Sequence, residues 1–142
     1  MIPDANFHWT IRIYYEDTDT GGIVYYANYL KFFERARTEW LRHAGINQQL
    51  IAEQQNAMFV VKSTEMNYHL PAKLDDVLTI TVQVEKLGRA SILFSQQGWR
   101  GNQCLVSGQI KVGCVDTLNI RPCAIPANVM QAIQTDSSVS ID

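Results

Sequence analysis

No stretch of this sequence is apolar for long enough to cross a bilayer, which takes about 20 consecutive apolar residues, so no membrane-spanning helix is expected. Cysteine is scarce. Cys104, Cys114 and Cys123 are odd in number and form no C-x-x-C pair, so they read as reduced thiols of a cytoplasmic protein, not as a disulfide frame or a zinc site. His8, His43 and His69 lie far apart without an H-E-x-x-H pattern, and none is expected to hold a metal. The absence of a G-x-S-x-G elbow sets serine-hydrolase chemistry aside. With no G-x-G-x-x-G or P-loop, no cofactor is expected. The net charge of −2 does not suit a nucleic-acid binder. The first residues, Met1-Ile2-Pro3-Asp4-Ala5-Asn6, have neither the basic start nor the apolar core of a signal peptide.

What is present suits a folded chain: 46% of the 142 residues are hydrophobic and 18% charged. One domain is expected over residues 1–134, with a polar tail, 135–142, that frays. Trp9 to Tyr15 reads as a strand with Trp9, Ile11, Ile13 and Tyr15 on one face. From Ala27 to Ala44 the apolar residues Tyr29, Leu30, Phe33, Ala36, Trp40, Leu41 and Ala44 recur at helical spacing, with Asn28 as N-cap and Gly45 as the C′ stop. A short helix is read over Gln48–Gln55. Four strands follow, over Met58–Tyr68, Leu78–Glu85, Ser91–Trp99 and Cys104–Cys114, and a short helix over Ala127–Gln134. One long helix on one face of a largely antiparallel sheet is a two-layer α+β architecture, and its open strand edges predict self-association.

The densest chemistry lies between Tyr14 and Tyr29. The carboxylates of Glu16, Asp17 and Asp19 are followed by Gly21-Gly22 and then by the long helix. An acid is thus delivered to a helix N-terminus, where free N–H groups can polarise a carbonyl, the minimum equipment for acyl transfer. Asp19 suits that role and also suits a turn cap; Asp17 reads as a turn or ion-pair residue. Glu34, on the helix, is a rival acid, but with Lys31 one turn before it a helical ion pair is expected. Tyr25, Tyr26, Tyr29 and Phe33 suit either an acyl pocket or core.

The run Tyr15-Glu16-Asp17-Thr18-Asp19-Thr20-Gly21-Gly22-Ile23-Val24-Tyr25, followed by Phe33-Glu34-Arg35-Ala36-Arg37, resembles the hotdog-fold acyl-CoA thioesterases. Within them it is most similar to the YbgC-type group associated with the Tol–Pal system, which is related to the 4-hydroxybenzoyl-CoA thioesterases. Leu74-Asp75-Asp76, Val115-Asp116 and Arg121-Pro122 extend the resemblance over roughly residues 8–134. It implies a hotdog fold, a long central helix wrapped by a curved five-stranded antiparallel sheet, paired into a homodimer or homotetramer. It implies hydrolysis of an acyl-CoA to free acid and coenzyme A, with Asp19 as catalytic carboxylate and the Tyr26 backbone N–H as oxyanion donor. Tyr15 matches an active-site tyrosine, and Gly22 and Val24 fall where the motif meets substrate. Arg89 and Ser91, in Leu87-Gly88-Arg89-Ala90-Ser91, match by position residues that meet coenzyme A.

The YbgC-type pattern has histidine where this chain has Tyr26, so only the backbone role carries over. An acyl carrier protein stays open as an alternative acyl donor. Two other readings compete: a hydratase or dehydratase acting on acyl thioesters, for which no histidine lies near Asp19 in sequence, and a non-catalytic acyl or carrier-protein binding module.

Overall fold

A computed structural model describes residues 5–141. Met1–Asp4, at the start of the segment read for a signal peptide, and Asp142 of the expected tail lie outside the described residues. The elements run β1 (Phe7–Arg12), α1 (Asn28–His43), α2 (Gln48–Gln55), β2 (Ala57–Tyr68), β3 (Val77–Leu87), β4 (Ser91–Arg100), β5 (Gln103–Asp116) and α3 (Ala127–Ser137). The strands form one antiparallel sheet in the order β1-β3-β4-β5-β2. The expected α+β hotdog architecture is what the chain adopts.

Alternation decides which sheet face is covered. Leu78, Ile80, Val82 and Val84 of β3, Ile92 and Phe94 of β4, and Val106, Ile110 and Val112 of β5 are buried. Against them α1 lays Tyr29, Phe32, Phe33, Ala36, Trp40 and Leu41. The helix sits close at Gly108, where a Cβ would meet Phe33 at 3.2 Å and the Met66 sulfur at 2.4 Å. At its C-terminus the Gly45 N–H donates to the Arg42 carbonyl at 2.9 Å and the Ile46 N–H to the Leu41 carbonyl at 2.8 Å, with Leu41 and Ile46 both buried. This is a Schellman stop, and it leads the chain into α2.

One polar device crosses the core. Gln96 of β4 is fully buried; its Nε2 donates to the Phe33 carbonyl at 3.1 Å and the Thr81 carbonyl at 3.3 Å, and its Oε1 accepts from Arg37 Nη1 at 3.0 Å. Burial pulls the Arg37 guanidinium down to about 10, an effect that nearby Glu34 opposes.

Three local expectations change. β1 ends at Arg12, because the Ile13 N–H turns to the Asp76 carbonyl at 2.8 Å and Tyr15–Asp17 coil into a 3-10 turn. Tyr15 is therefore 81% exposed and does not continue the strand face. Asn28 is not an N-cap: Ala27 holds that position, and the Asn28 side-chain amide instead donates to the Asp17 carbonyl at 3.0 Å. Residues 135–137 continue α3 instead of fraying, because Trp40 Nε1 donates to Asp136 Oδ2 and the buried Ser137 hydroxyl donates to the Ile133 carbonyl at 2.6 Å.

Candidate active site

The segment Asp17–Tyr25 folds back on itself as a miniature hairpin. The Tyr25 N–H donates to the Asp17 carbonyl at 3.0 Å, Thr18 bridges Val24, and the Asp19 N–H donates to the Ile23 carbonyl at 2.9 Å. At the tip the Gly22 N–H donates to the Asp19 carbonyl at 3.0 Å, and Gly22 has φ +79°. A three-residue tip of this kind places its last residue in the left-handed region, which glycine enters without strain. The sequence Asp-Thr-Gly-Gly therefore dictates the turn.

Within it Asp19 makes the turn-capping contact read for it. One carboxylate oxygen, Oδ1, accepts from the Gly21 N–H at 2.8 Å, the turn-capping contact of an aspartate. Oδ2 has no hydrogen-bond partner among the described residues, and Asp19 is exposed. One oxygen fixes the side chain and the other is left without a partner among the described residues. Asp17 is a turn residue, as read, its Oδ2 accepting from the Tyr14 N–H at 2.8 Å.

The hairpin is tied to the start of α1 by the Asp17 carbonyl, which takes hydrogen bonds from both Tyr25 and Asn28. Between those two donors the Tyr26 and Ala27 N–H groups donate to no acceptor among the described residues. The Ala27 N–H belongs to the N-cap, one of the free donors that a helix N-terminus leaves, and the Tyr26 N–H lies one residue before it. The Tyr26 ring is 60% exposed and lies against Tyr25, with centroids 4.9 Å apart, and edge-on to Tyr68 at 6.0 Å. Burial pushes the Tyr29 and Tyr68 hydroxyls above the usual tyrosine range.

Asp19 faces an open concavity of about 450 Å³ lined by Tyr15, Thr18, Asp19, Thr20, Gly22 and Leu74. Thr18, Thr20 and Leu74 were not singled out from the sequence. The threonines alternate with the acids of the motif, and Leu74 opens Leu74-Asp75-Asp76. That second segment braces the first: Val24 N–H donates to the Ala72 carbonyl at 2.9 Å, Ile23 bridges Lys73, and the Asp75 N–H donates to the Ile13 carbonyl at 3.0 Å. Arg100 secures the brace through a 2.7 Å ion pair with Asp76. Although burial pushes the Asp76 carboxyl up, the Lys73 N–H and the Arg100 guanidinium outweigh it and hold the group below the usual carboxylate range.

Tyr15, Asp19 and Gly22 thus meet at one concavity, with Tyr26 on the adjoining helix start. The Val24 side chain is 4% exposed and belongs to the core, so it anchors the hairpin and does not line the concavity. Arg89 and Ser91 are not brought to Asp19 in this chain. Arg89 sits in the β3–β4 turn and Ser91 opens β4, both beyond the far end of β3, which runs ten residues on from Val77, whereas Asp19 is braced by the segment preceding Val77. At about 3.3 Å per residue that separation is roughly 30 Å. Glu34 is exposed and forms no ion pair with Lys31, contrary to expectation; it borders a separate crevice of about 290 Å³ with Arg37, Leu41 and Phe94. No group of three or more His, Cys, Asp or Glu among the described residues is arranged to hold a metal ion. No helix among them is long and apolar enough to cross a membrane.

Alongside this fold, the sequence profile of the thioesterase superfamily matches residues 21–107. The chain belongs to that superfamily. It is 46% identical over 129 residues to the acyl-CoA thioesterase YbgC of Haemophilus influenzae, covering 91% of this chain and 95% of that one. It is 41% identical over 125 residues to the acyl-CoA thioester hydrolase YbgC of Escherichia coli O6:H1, covering 87% and 92%. Among solved structures, a probable thioesterase from Bartonella henselae superposes with TM-score 0.80 at 35% identity, covering 84% of this chain and 98% of that one. A DHNA-CoA thioesterase from Staphylococcus aureus reaches TM-score 0.86 at 19% identity, covering 93% and 91%, and at that identity it shows the fold alone.

Proposed function

We propose that this protein is an acyl-CoA thioesterase that hydrolyses its substrate to a free acid and coenzyme A, with Asp19 as the reacting carboxylate. The observation that carries this reading is the division of labour in Asp19, one oxygen held by Gly21 and the other without a partner among the described residues, on a hairpin tied to the start of α1. A thioester carbonyl laid across that gap would direct its oxygen to the Tyr26 N–H, where negative charge develops as the tetrahedral adduct forms. Asp19 then has two chemically complete routes. As general base it takes a proton from water while the hydroxide attacks the carbonyl carbon. As nucleophile it attacks directly, expels the thiolate and forms a mixed anhydride that water hydrolyses. In either route the thiolate leaves and is protonated to coenzyme A. Tyr15 and Gly22 border the acyl group, and Val24 holds the hairpin in register.

The site is shared between two copies of the chain. The support is the roughly 30 Å separation of Arg89 and Ser91 from Asp19 within one protomer, together with the exposure of Tyr15, Tyr26, Leu74 and Val77 around the concavity. β2 is an edge strand of 12 residues open to pairing, which supports a homodimer, with a homotetramer as its further assembly. In that arrangement Arg89 of the partner subunit meets the phosphates of coenzyme A and Ser91 of the partner subunit lies beside them. A carrier protein bearing the same phosphopantetheine thioester is the alternative donor. The cytoplasm, where acyl-CoA is made, is the compartment this reading assigns.

The test is a turnover screen across acyl-CoA chain lengths, with a benzoyl thioester included and both free coenzyme A and free acid measured. The expected result is stoichiometric release of both, with kcat reduced at least ~10²-fold in Asp19→Asn. Wild-type rates in that variant, a hydrated thioester without free acid, or binding without turnover across the panel would each overturn the reading.

A further inference from the structure

We infer that Cys114 and Cys123 form an oxidant-responsive dithiol that closes to an intramolecular disulfide. The sequence separates them by nine residues and suggests nothing of the kind, but the fold returns the chain on itself. After β5 the segment following the 117–120 turn runs back antiparallel: the Asp116 N–H donates to the Arg121 carbonyl at 2.8 Å, Val115 bridges Pro122, and the Cys123 N–H donates to the Cys114 carbonyl at 2.9 Å. The two cysteines are thus directly opposite in an antiparallel pairing, joined by the one bond from the Cys123 N–H, and opposed Cα atoms in such pairings lie about 4.5–5.5 Å apart. That is within the span a disulfide bridges without moving backbone. Their side chains already point to the same side, with sulfurs 3.6 Å apart.

The two thiols are not equivalent. Cys114 is 1% exposed, whereas Cys123 is half-buried and reachable from solvent. Burial, reinforced by Cys123, pushes the Cys114 thiol up to about 12, so Cys123 is the group that meets an oxidant first. With hydrogen peroxide as the oxidant, the Cys123 thiolate attacks a peroxide oxygen, the O–O bond breaks, and a sulfenic acid and hydroxide form. The Cys114 sulfur then attacks the sulfenic sulfur, its S–H proton leaves with the hydroxyl as water, and the S–S bond forms. Each sulfur is oxidised by one electron equivalent overall and the peroxide is reduced by two. A thiol reductant reverses the step by exchange.

The location gives the modification a place to act. The Cys114 N–H donates to the Ala90 carbonyl and the Ile125 N–H to the Arg89 carbonyl, each at 2.8 Å. The dithiol therefore sits against the turn that carries Arg89 and Ser91. Cys104, near the opposite end of β5, has no cysteine partner.

The experiment treats the full chain with a small excess of hydrogen peroxide, blocks remaining thiols with N-ethylmaleimide, and maps the peptides without reduction. The expected result is a Cys114–Cys123 cross-linked peptide with Cys104 alkylated, restored to three alkylated thiols by dithiothreitol. Cys104→Ser should leave the cross-link unchanged, and Cys123→Ser and Cys114→Ala should each abolish it, with circular dichroism confirming that every variant is folded. Oxidation of Cys123 to sulfinic or sulfonic acid with Cys114 still reduced, no oxidation of either, or cross-links made only between chains through Cys104 would overturn the inference. The mass readout does not depend on enzymatic activity, so this inference and the thioesterase reading fail separately.

Discussion

Arg37 and Gln96 meet inside the core, Nη1 to Oε1 at 3.0 Å, and no carboxylate forms an ion pair with the guanidinium among the described residues. The amide of Gln96 also holds α1 to the sheet through the Phe33 and Thr81 carbonyls. Replacing it with an apolar residue removes all three of these bonds and leaves the buried Arg37 guanidinium without this partner. Gln96→Leu should therefore destabilise the protein by about 3 kcal/mol in urea unfolding, since each buried group left unsatisfied costs about 1–3 kcal/mol. Arg37→Met should cost less, because it removes the desolvated charge together with the contact. The double variant should lie well below the sum of the two, by at least about 0.5 kcal/mol. Simple additivity would show that the pair is not coupled.

Tyr26 separates a backbone role from a side-chain role. Its N–H has no acceptor among the described residues, while its ring is largely in solvent. Tyr26→Phe keeps the N–H and the ring contact with Tyr68, so kcat/KM should stay within about threefold of wild type. A loss of two orders of magnitude would instead assign the hydroxyl a part in the chemistry.

The Asp76–Arg100 brace has a pH signature. The folded carboxyl titrates below its unfolded value, so its contribution to stability is present above the unfolded pKa of about 3.9 and is lost as pH falls through the lower folded value. Asp76→Asn should lower Tm at neutral pH, and the gap from wild type should narrow steadily below about pH 4. A gap that is constant or widens in acid would mean that the charge is not what secures this segment.

A shared site makes complementation possible. Asp19→Asn and Arg89→Ala chains are each expected to be impaired alone. Denatured together in equal amounts and refolded, half of the dimers should be mixed, and each mixed dimer holds one site with both residues intact. Activity should recover to about a quarter of wild type. No recovery beyond the two parents would place Asp19 and Arg89 in separate functions.

Much of this was legible in the residues. The alternation in Leu78, Ile80, Val82 and Val84 leaves only one face to bury, and Gly21-Gly22 between the acids and the amphipathic run marks where the chain turns before the helix. What was not legible depends on distance. Tyr15 continues the apolar period of β1, yet the hydrogen bond from Ile13 to Asp76, over sixty residues away, pulls the chain off the sheet before Tyr15. Gln96 and Arg37 look like surface residues because polarity alone does not reveal a partner across the core. Arg89 and Asp19 carry no mark of lying at opposite ends of one strand, and Cys114 and Cys123 none of lying side by side.

The span of β3 has a consequence for how such enzymes diverge. On the shared-site reading, one end of the strand adjoins the acid and the other carries the turn that meets the handle of the substrate in the partner's site. The number of residues in β3 then acts as a gauge of carrier length. Two added residues would preserve its inside–outside alternation while shifting that turn by about 7 Å. The register shift between Val84 and Lys86 against β4 is already a one-residue adjustment of that gauge. Carrier preference can thus drift through strand length while the hairpin around Asp19 stays untouched.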